Sequence, residues 1–81
     1  MKALIYGRPG CTFCEKAKVL CKMKGIDFDY KLVGDDIQKE QLEEMVGTKI
    51  SSVPQIFLTA EGMSEYIGGY TQLEARLNGK S

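Results

Sequence analysis

Histidine is absent from the chain, and neither sign of charge is in excess, eleven lysines and arginines standing against eleven aspartates and glutamates. A neutral chain lacks the field that holds proteins non-specifically to nucleic acid or anionic membrane, so neither is expected as a partner. Long apolar runs are missing as well. No stretch approaches the roughly 20 apolar residues needed to cross a bilayer. The opening MKALIYGRPG has an apolar run too short for the core of a signal peptide and no cleavage-like site after it, which predicts an intracellular, cytoplasmic protein. Cysteines are few and odd in number, three in all. That count does not suit a secreted scaffold stapled by paired disulfides; an intracellular CxxC is usually catalytic or metal-binding. Repeats, low-complexity tracts and linkers are also lacking. The 81 residues suffice for one domain, 1–81, with a small core that buries only roughly 60% of the unfolded surface.

What remains is an alternation of strand and helix signals. Lys2 to Tyr6 reads as a short strand closed by Gly7, Pro9 and Gly10. Thr12 to about Lys24 is helical in pattern: Phe13, Cys14, Ala17, Leu20 and Cys21 share a broad apolar face, and Val19 and Met23 add a second apolar flank. Such a helix is expected to be covered on more than one side, with Gly25 as its stop. Ile26 to Val33 alternates as a strand does, and Gly34-Asp35-Asp36 breaks it. A second helix is expected from about Ile37 to Val46, with Asp35 and Gln38 at capping-box spacing and Gly47 at its end. Gln55 to Thr59 and Met63 to Ile67 read as strands joined by the turn Ala60-Glu61-Gly62. A last helix follows Gly68-Gly69, with Thr71 and Glu74 again at capping-box spacing. Tyr6, Phe28 and Phe57 are expected in the core, and Met23, Met45 and Met63 read as core or core-edge filler. The order β-α-β-α-β-β-α predicts an α/β fold, a four-stranded mixed sheet flanked by three helices.

The chemistry concentrates in Cys11-Thr12-Phe13-Cys14, where a strand has ended and a helix begins. A thiolate, not a thiol, attacks a disulfide. At a helix start, unpaired N–H groups and the positive end of the dipole favour the anion, and Arg8 adds charge from three residues upstream. Cysteines so placed have pKa values of about 3.5–7.5, against about 8.5 when free. The two-residue spacer brings Cys14 one turn below Cys11, within disulfide reach and turned toward the apolar face. The roles follow: Cys11 attacks and Cys14 resolves. A zinc site would need four ligands, and with no histidine the chain can add only Cys21, which lies mid-helix and reads as a small buried hydrophobe.

Two further motifs stand apart from the cysteines. Ser52-Val53-Pro54 precedes a strand. Its proline is either a plain strand-start residue or, beside a CxxC, a cis peptide that turns the Val53 backbone toward the cysteines to pair with a peptide-like substrate. Ile67-Gly68-Gly69-Tyr70-Thr71 is either a strand-to-helix turn with Thr71 as N-cap or a close backbone approach with a helix N-terminus able to hold a carboxylate.

With these residues in place, the chain resembles the glutaredoxin family. Tyr6 to Cys14 (YGRPGCTFC) is similar to that family's active-site stretch, which usually ends Cys-Pro-Tyr-Cys. Ala17-Lys18 falls where the family often has it. Ser52-Val53-Pro54-Gln55-Ile56-Phe57 resembles its Thr-Val-Pro segment, and Ile67-Gly68-Gly69-Tyr70 its Gly-Gly segment. The resemblance covers nearly the whole chain in order and spacing. It implies a thioredoxin fold and glutathione as reductant, with Arg8 near a glutathione carboxylate and Phe13 beside the tripeptide. It also implies backbone pairing by Val53 between Ser52 and a cis Pro54, and a γ-glutamyl site formed by Gly69, Tyr70 and Thr71. Two departures stand out: Thr12 replaces the usual proline, and Thr71-Gln72 replaces a frequent aspartate pair.

The expected activity is that of a monomeric, glutathione-dependent thiol–disulfide oxidoreductase. Its partners would be glutathione and disulfide-containing or glutathionylated proteins, ribonucleotide reductase among them. Two alternatives stay open: a glutaredoxin-like redoxin reduced by thioredoxin reductase, and a glutathione-assisted iron–sulfur cluster carrier with Cys11 as metal ligand. The lysines at 16, 18, 22 and 24 read as a solvated helix edge that could attract acidic partners.

Overall fold

The computed structural model describes residues 1–79, which form β1 (Lys2–Gly7), α1 (Thr12–Met23), β2 (Asp27–Leu32), α2 (Lys39–Val46), β3 (Gln55–Ala60), β4 (Met63–Gly68) and α3 (Tyr70–Leu77). The strands make one sheet in the order β2-β1-β3-β4. β1 and β2 are parallel, with Ile5 opposite Tyr30, while β1 and β3 are antiparallel, with Ile5 opposite Ile56. β3 and β4 form the antiparallel pair expected from their short turn. No helix among the described residues is long and apolar enough to cross a membrane.

Alternation along the two central strands divides the core. Ala3 and Ile5 of β1 and Ile56 and Leu58 of β3 point to one face, where they meet Ala17, Leu20 and Cys21 of α1 and Leu73 of α3. Tyr6 and Phe57 point to the other, where Leu42 of α2 and Ile50 close over them. Each large aliphatic side chain fully buried this way contributes about 1.5–3 kcal/mol. Tyr6 and Phe57 are core residues as expected, with their rings edge-to-face at 6.0 Å.

Three local expectations are corrected. The second helix starts at Lys39, not Ile37, because the residues before it are used elsewhere. Ile37 bridges Val33, the Leu32 N–H donates to Asp36 Oδ2 at 2.8 Å, and the box at the helix start is Gln38 with Gln41, whose Oε1 accepts from the Gln38 N–H at 3.1 Å. The last helix is capped at Gly69, not Thr71; the Gly69 N–H donates to Gln72 Oε1 at 3.0 Å, so Thr71 stands inside the first turn. Finally, the second apolar flank of α1 is left open, although the helix packs against both the sheet and α3 as expected. Val19 and Met23 are 53% and 77% exposed, and Met45 and Met63 are exposed too, because no element of the described chain packs over them. Gly47 stops α2 as expected: at φ 93° it takes the left-handed C-cap conformation and its N–H donates to Glu43 O at 2.8 Å.

Candidate active site

Four segments converge at the carboxyl end of β1. The turn after β1 delivers Cys11 as the N-cap of α1, in extended backbone, with its Sγ accepting from the Cys14 N–H at 3.2 Å. This is the geometry in which a side chain at a helix start is held by an otherwise unpaired amide. Cys11 and Cys14 are joined as a disulfide, their Cα atoms 5.2 Å apart. Their environments differ. Cys11 is part-exposed at the rim, whereas Cys14 is fully buried.

Cys14 is buried against a place where only glycine fits. A Cβ built on Gly7 would stand 2.7 Å from Cys14 Sγ and 2.6 Å from the Tyr30 hydroxyl. Tyr30 is itself fixed, donating from its hydroxyl to Arg8 O at 3.1 Å, with Lys18 Nζ 4.2 Å above its ring. Lys18 in turn pairs with Glu15 at 2.7 Å. Cys21, two turns further along α1, is buried, and desolvation pushes its thiol up from the ordinary value, as suits an inert core residue.

The Val53–Pro54 peptide bond is cis, the second of the two readings of that proline. Val53 O lies 3.7 Å from Cys11 Sγ. The loop that carries it is braced from both sides. Glu43 Oε2 accepts from the Ile50 N–H at 3.0 Å. Gln55, buried at the head of β3, donates from Nε2 to Ser52 O at 2.9 Å and accepts from the Tyr66 hydroxyl.

Of the expected site residues, Phe13, Ser52, Val53, Pro54, Gly69, Tyr70 and Thr71 line one cleft of about 190 Å³, together with Gln72. A Cβ on Gly69 would meet Pro54 O at an ordinary 3.7 Å and the end of the Gln72 side chain at 3.3 Å, so the approach of the two segments does not depend on glycine there. Phe13 and Tyr70 form the wall of the cleft, their ring centroids 6.0 Å apart. The Tyr70 hydroxyl donates to Glu74 Oε2 at 3.3 Å, and desolvation and that carboxylate together raise its pKa. Arg8 is not in this cleft. It lines a neighbouring cavity of about 400 Å³ with Lys39 and Ile50, and the two spaces share Ser52 and Val53 as their common wall.

Lys39, Gln72 and Tyr30 are additions to the site that the sequence reading missed. Lys39 comes from the far side of the sheet, Tyr30 from the edge strand and Gln72 from a capping role, and none of them stands at a spacing from the cysteines that would mark it.

Sheet order, helix placement and a CxxC at the head of α1 facing a cis-proline loop define a thioredoxin-fold dithiol protein. The Glutaredoxin family model matches residues 3–63. A glutaredoxin of Haemophilus influenzae is 44% identical over 93% of this chain and 88% of its own length. The structure of reduced Escherichia coli glutaredoxin superposes with a TM-score of 0.80 at 32% identity, covering 98% of this chain and 95% of that one. A buckwheat glutaredoxin–glutathione complex, 24% identical with a TM-score of 0.64 over 96% of this chain and 70% of that one, shares the fold. The chain belongs to the glutaredoxin family, and its cysteine pair is that of a thiol–disulfide oxidoreductase.

Proposed function

We propose that the protein is a glutathione-dependent thiol–disulfide oxidoreductase, acting as a cytoplasmic monomer on glutathionylated and disulfide-bonded proteins, ribonucleotide reductase among the candidates. The observation that carries the reading is the placement of Cys11 Sγ at the head of α1, 3.7 Å from the Val53 carbonyl. An extended peptide paired with the Val53 backbone would lay its own sulfur beside Cys11. The surroundings suit a tripeptide thiol with two carboxylates. Arg8 and Lys39 line the cavity at one end, and the amide-rich start of α3 with the Thr71 hydroxyl stands at the other. Gln72 is already engaged with the Gly69 N–H, which leaves Thr71 to meet the ligand. The buckwheat complex supports glutathione as the ligand type.

In the reduced protein, the Cys11 thiolate attacks the glutathione sulfur of a mixed disulfide. The S–S bond breaks, the protein thiolate leaves, and Cys11 holds glutathione. A second glutathione thiolate then attacks that sulfur and releases oxidised glutathione, restoring Cys11. On a protein disulfide, Cys11 is instead joined to one substrate sulfur, and Cys14 attacks Cys11 to expel it. The product is the Cys11–Cys14 disulfide of this structure, which two glutathiones reduce.

Side-by-side assays of three proteins test this. Cys11→Ser is expected to lose at least about a hundredfold on both substrate types, because no other thiol reaches the rim. Cys14→Ser is expected to keep most of its rate on a glutathione mixed disulfide and lose most of it on a protein disulfide, where the neighbouring thiol acts at high effective concentration. A folded Cys14→Ser protein inactive on both would refute the one-thiol route, and an active Cys11→Ser would refute the mechanism.

A further inference from the structure

Of the described residues with an amide or charged side chain, only Gln55 is buried, at 6% exposure. Burying an amide costs free energy unless both of its ends are paired. An aliphatic side chain at the head of β3 would extend the buried run Ile56, Phe57 and Leu58 without that cost. The amide has partners instead. Nε2 donates to Ser52 O at 2.9 Å, and Oε1 accepts from the Tyr66 hydroxyl on the neighbouring strand β4. Tyr66 is steadied in turn by its ring, whose centroid lies 5.3 Å from that of Phe57. Neither Gln55 nor Tyr66 lines the cleft or the Arg8 cavity.

What this brace fixes is a peptide plane. The Ser52–Val53 peptide is trans. In a trans peptide the carbonyl and the N–H point in opposite directions. Holding Ser52 O on the buried amide therefore aims the Val53 N–H away from it. Among the described residues that N–H donates to no backbone carbonyl. Val53 itself stands in the wall shared by the cleft and the Arg8 cavity, with its own carbonyl 3.7 Å from Cys11 Sγ.

We propose that Gln55 and Tyr66 are positioning residues: the buried amide, held at its other end by the Tyr66 hydroxyl, keeps the Ser52–Val53 peptide turned so that the Val53 N–H meets the backbone of a peptide disulfide at Cys11. The proposal rests on the oxidoreductase reading, in which the Val53 backbone pairs with the substrate, and names the side chains that aim it. Because they act through a backbone donor, they matter only to substrates that have a backbone to pair.

Two readouts test it. In the first, pre-reduced protein is mixed with the disulfide of a short linear peptide, with oxidised glutathione, or with cystamine, which has no peptide backbone, and the loss of its thiols is timed against substrate concentration. Gln55→Met keeps the length and apolar bulk of the side chain but cannot donate to Ser52 O. It is expected to raise the half-saturating concentration of both peptide disulfides about fivefold or more, with little change in the limiting rate. It should leave cystamine within about twofold. Tyr66→Phe removes only a hydroxyl from a part-exposed ring, so it carries the test if Gln55→Met fails to fold, and the same pattern is expected at about two- to threefold. The second readout is the pH profile of Gln55→Glu. A carboxylate cannot donate to Ser52 O, whereas the protonated acid can, and still accepts from Tyr66. Burial and the facing carbonyl raise such a carboxyl above its usual range. The side chains facing it from the neighbouring strands, Tyr66 on β4 and Tyr6 opposite on β1, are phenols, which do not titrate between about pH 5 and 8. The ratio of variant to wild-type rate on the peptide disulfide is therefore expected to be low at about pH 8 and to recover toward about pH 5. A ratio flat with pH, equal losses on peptide and cystamine, or unchanged half-saturation in both Gln55→Met and Tyr66→Phe would overturn the proposal. Losses on the linear peptide without losses on oxidised glutathione would uphold it and overturn the glutathione reading alone.

Discussion

The two faces of the sheet are built differently. On one face, two helices close over a cluster of aliphatic and small side chains, with Ala3, Ile5, Ala17, Cys21, Ile56 and Leu73 fully buried. On the other, the eight-residue α2 covers an edge-to-face aromatic pair, with Leu42 its single fully buried aliphatic side chain and a rim of half-buried Leu4, Val33, Ile37 and Val46. The cysteine pair belongs to the tighter face, through Cys14. The cis-proline loop and Lys39 belong to the thinner one, through Ile50, Glu43 and the start of α2. A reacting sulfur needs a fixed position, and rigid, fully packed elements supply it. A loop that must admit ligands of differing shape is better attached to a part of the fold that can give.

The sharpest test of that difference is a matched pair of truncations, because Leu73 and Leu42 are both fully buried. Leu→Ala costs about 2–5 kcal/mol, and the cost rises with the cavity that fails to collapse. Leu73→Ala lies where two helices and the sheet constrain one another, so we expect a loss near the upper end. Leu42→Ala lets the short α2 settle inward and is expected near the lower end. Denaturant unfolding measures both. Leu73 stands one turn from Tyr70, so its variant is also expected to slow turnover while still folded, whereas Leu42→Ala keeps its rate. Equal costs, or a slower Leu42 variant, would break the comparison.

A smaller effect is expected at Gly7. The Cβ of Gly7→Ala would press on Cys14 Sγ and the Tyr30 hydroxyl. Neither can retreat cheaply, since Cys14 is fully buried and Tyr30 is held on Arg8 O. Overpacking of this kind costs about 1–3 kcal/mol. The expected signature is a lower unfolding midpoint together with a changed rate of Cys11–Cys14 disulfide formation. A variant that lost stability without touching that rate would mean that Cys14 is not seated by this contact.

Much of this was legible in the sequence because it is local. Element order follows from alternation and periodicity, and the strands of the tighter face needed only their apolar residues to be recognised. The pairing of Cys11 with Cys14 follows from one helical turn. What failed was decided across the chain. Asp35 and Gln38 have capping-box spacing, but the Asp36 carboxylate is taken by the Leu32 amide and Ile37 by Val33, so α2 starts later. Thr71 has the right chemistry for an N-cap, yet the backbone turns at Gly69 and Gln72 supplies the acceptor. Val19 and Met23 look like core in a helical pattern because periodicity identifies an apolar flank without saying what covers it. Lys39 reaches the site only through the fold, since it lies on the opposite face of the sheet from α1.

The smallest expected effect lies where the thinner face runs out. Along β1, residues alternate with Ala3 and Ile5 toward α1, so Lys2 points to the side of α2, and Asp29, between Phe28 and Tyr30 on β2, does the same. There Lys2 Nζ and Asp29 Oδ2 pair at 2.8 Å with both side chains about half exposed, an ion pair where the tighter face has apolar burial. Asp29 raises the pKa of Lys2, chiefly through their hydrogen bond, and Lys2 lowers that of Asp29. The signs set the pH window. The Asp29 contribution is present above its ordinary 3.8 and is lost as pH falls through the depressed value. The Lys2 contribution is present below its ordinary 10.5 and is lost as pH rises through the raised one. Between those limits the pair's contribution is constant with pH, and salt at about 0.15 M screens it. Lys2→Ala is therefore expected to shift the unfolding midpoint far less than either leucine truncation. The shift should shrink as salt is added and vanish once Asp29 is protonated. A loss comparable to that of Leu42→Ala, or one indifferent to salt, would mean that the uncovered end of this face is held by more than an exposed ion pair.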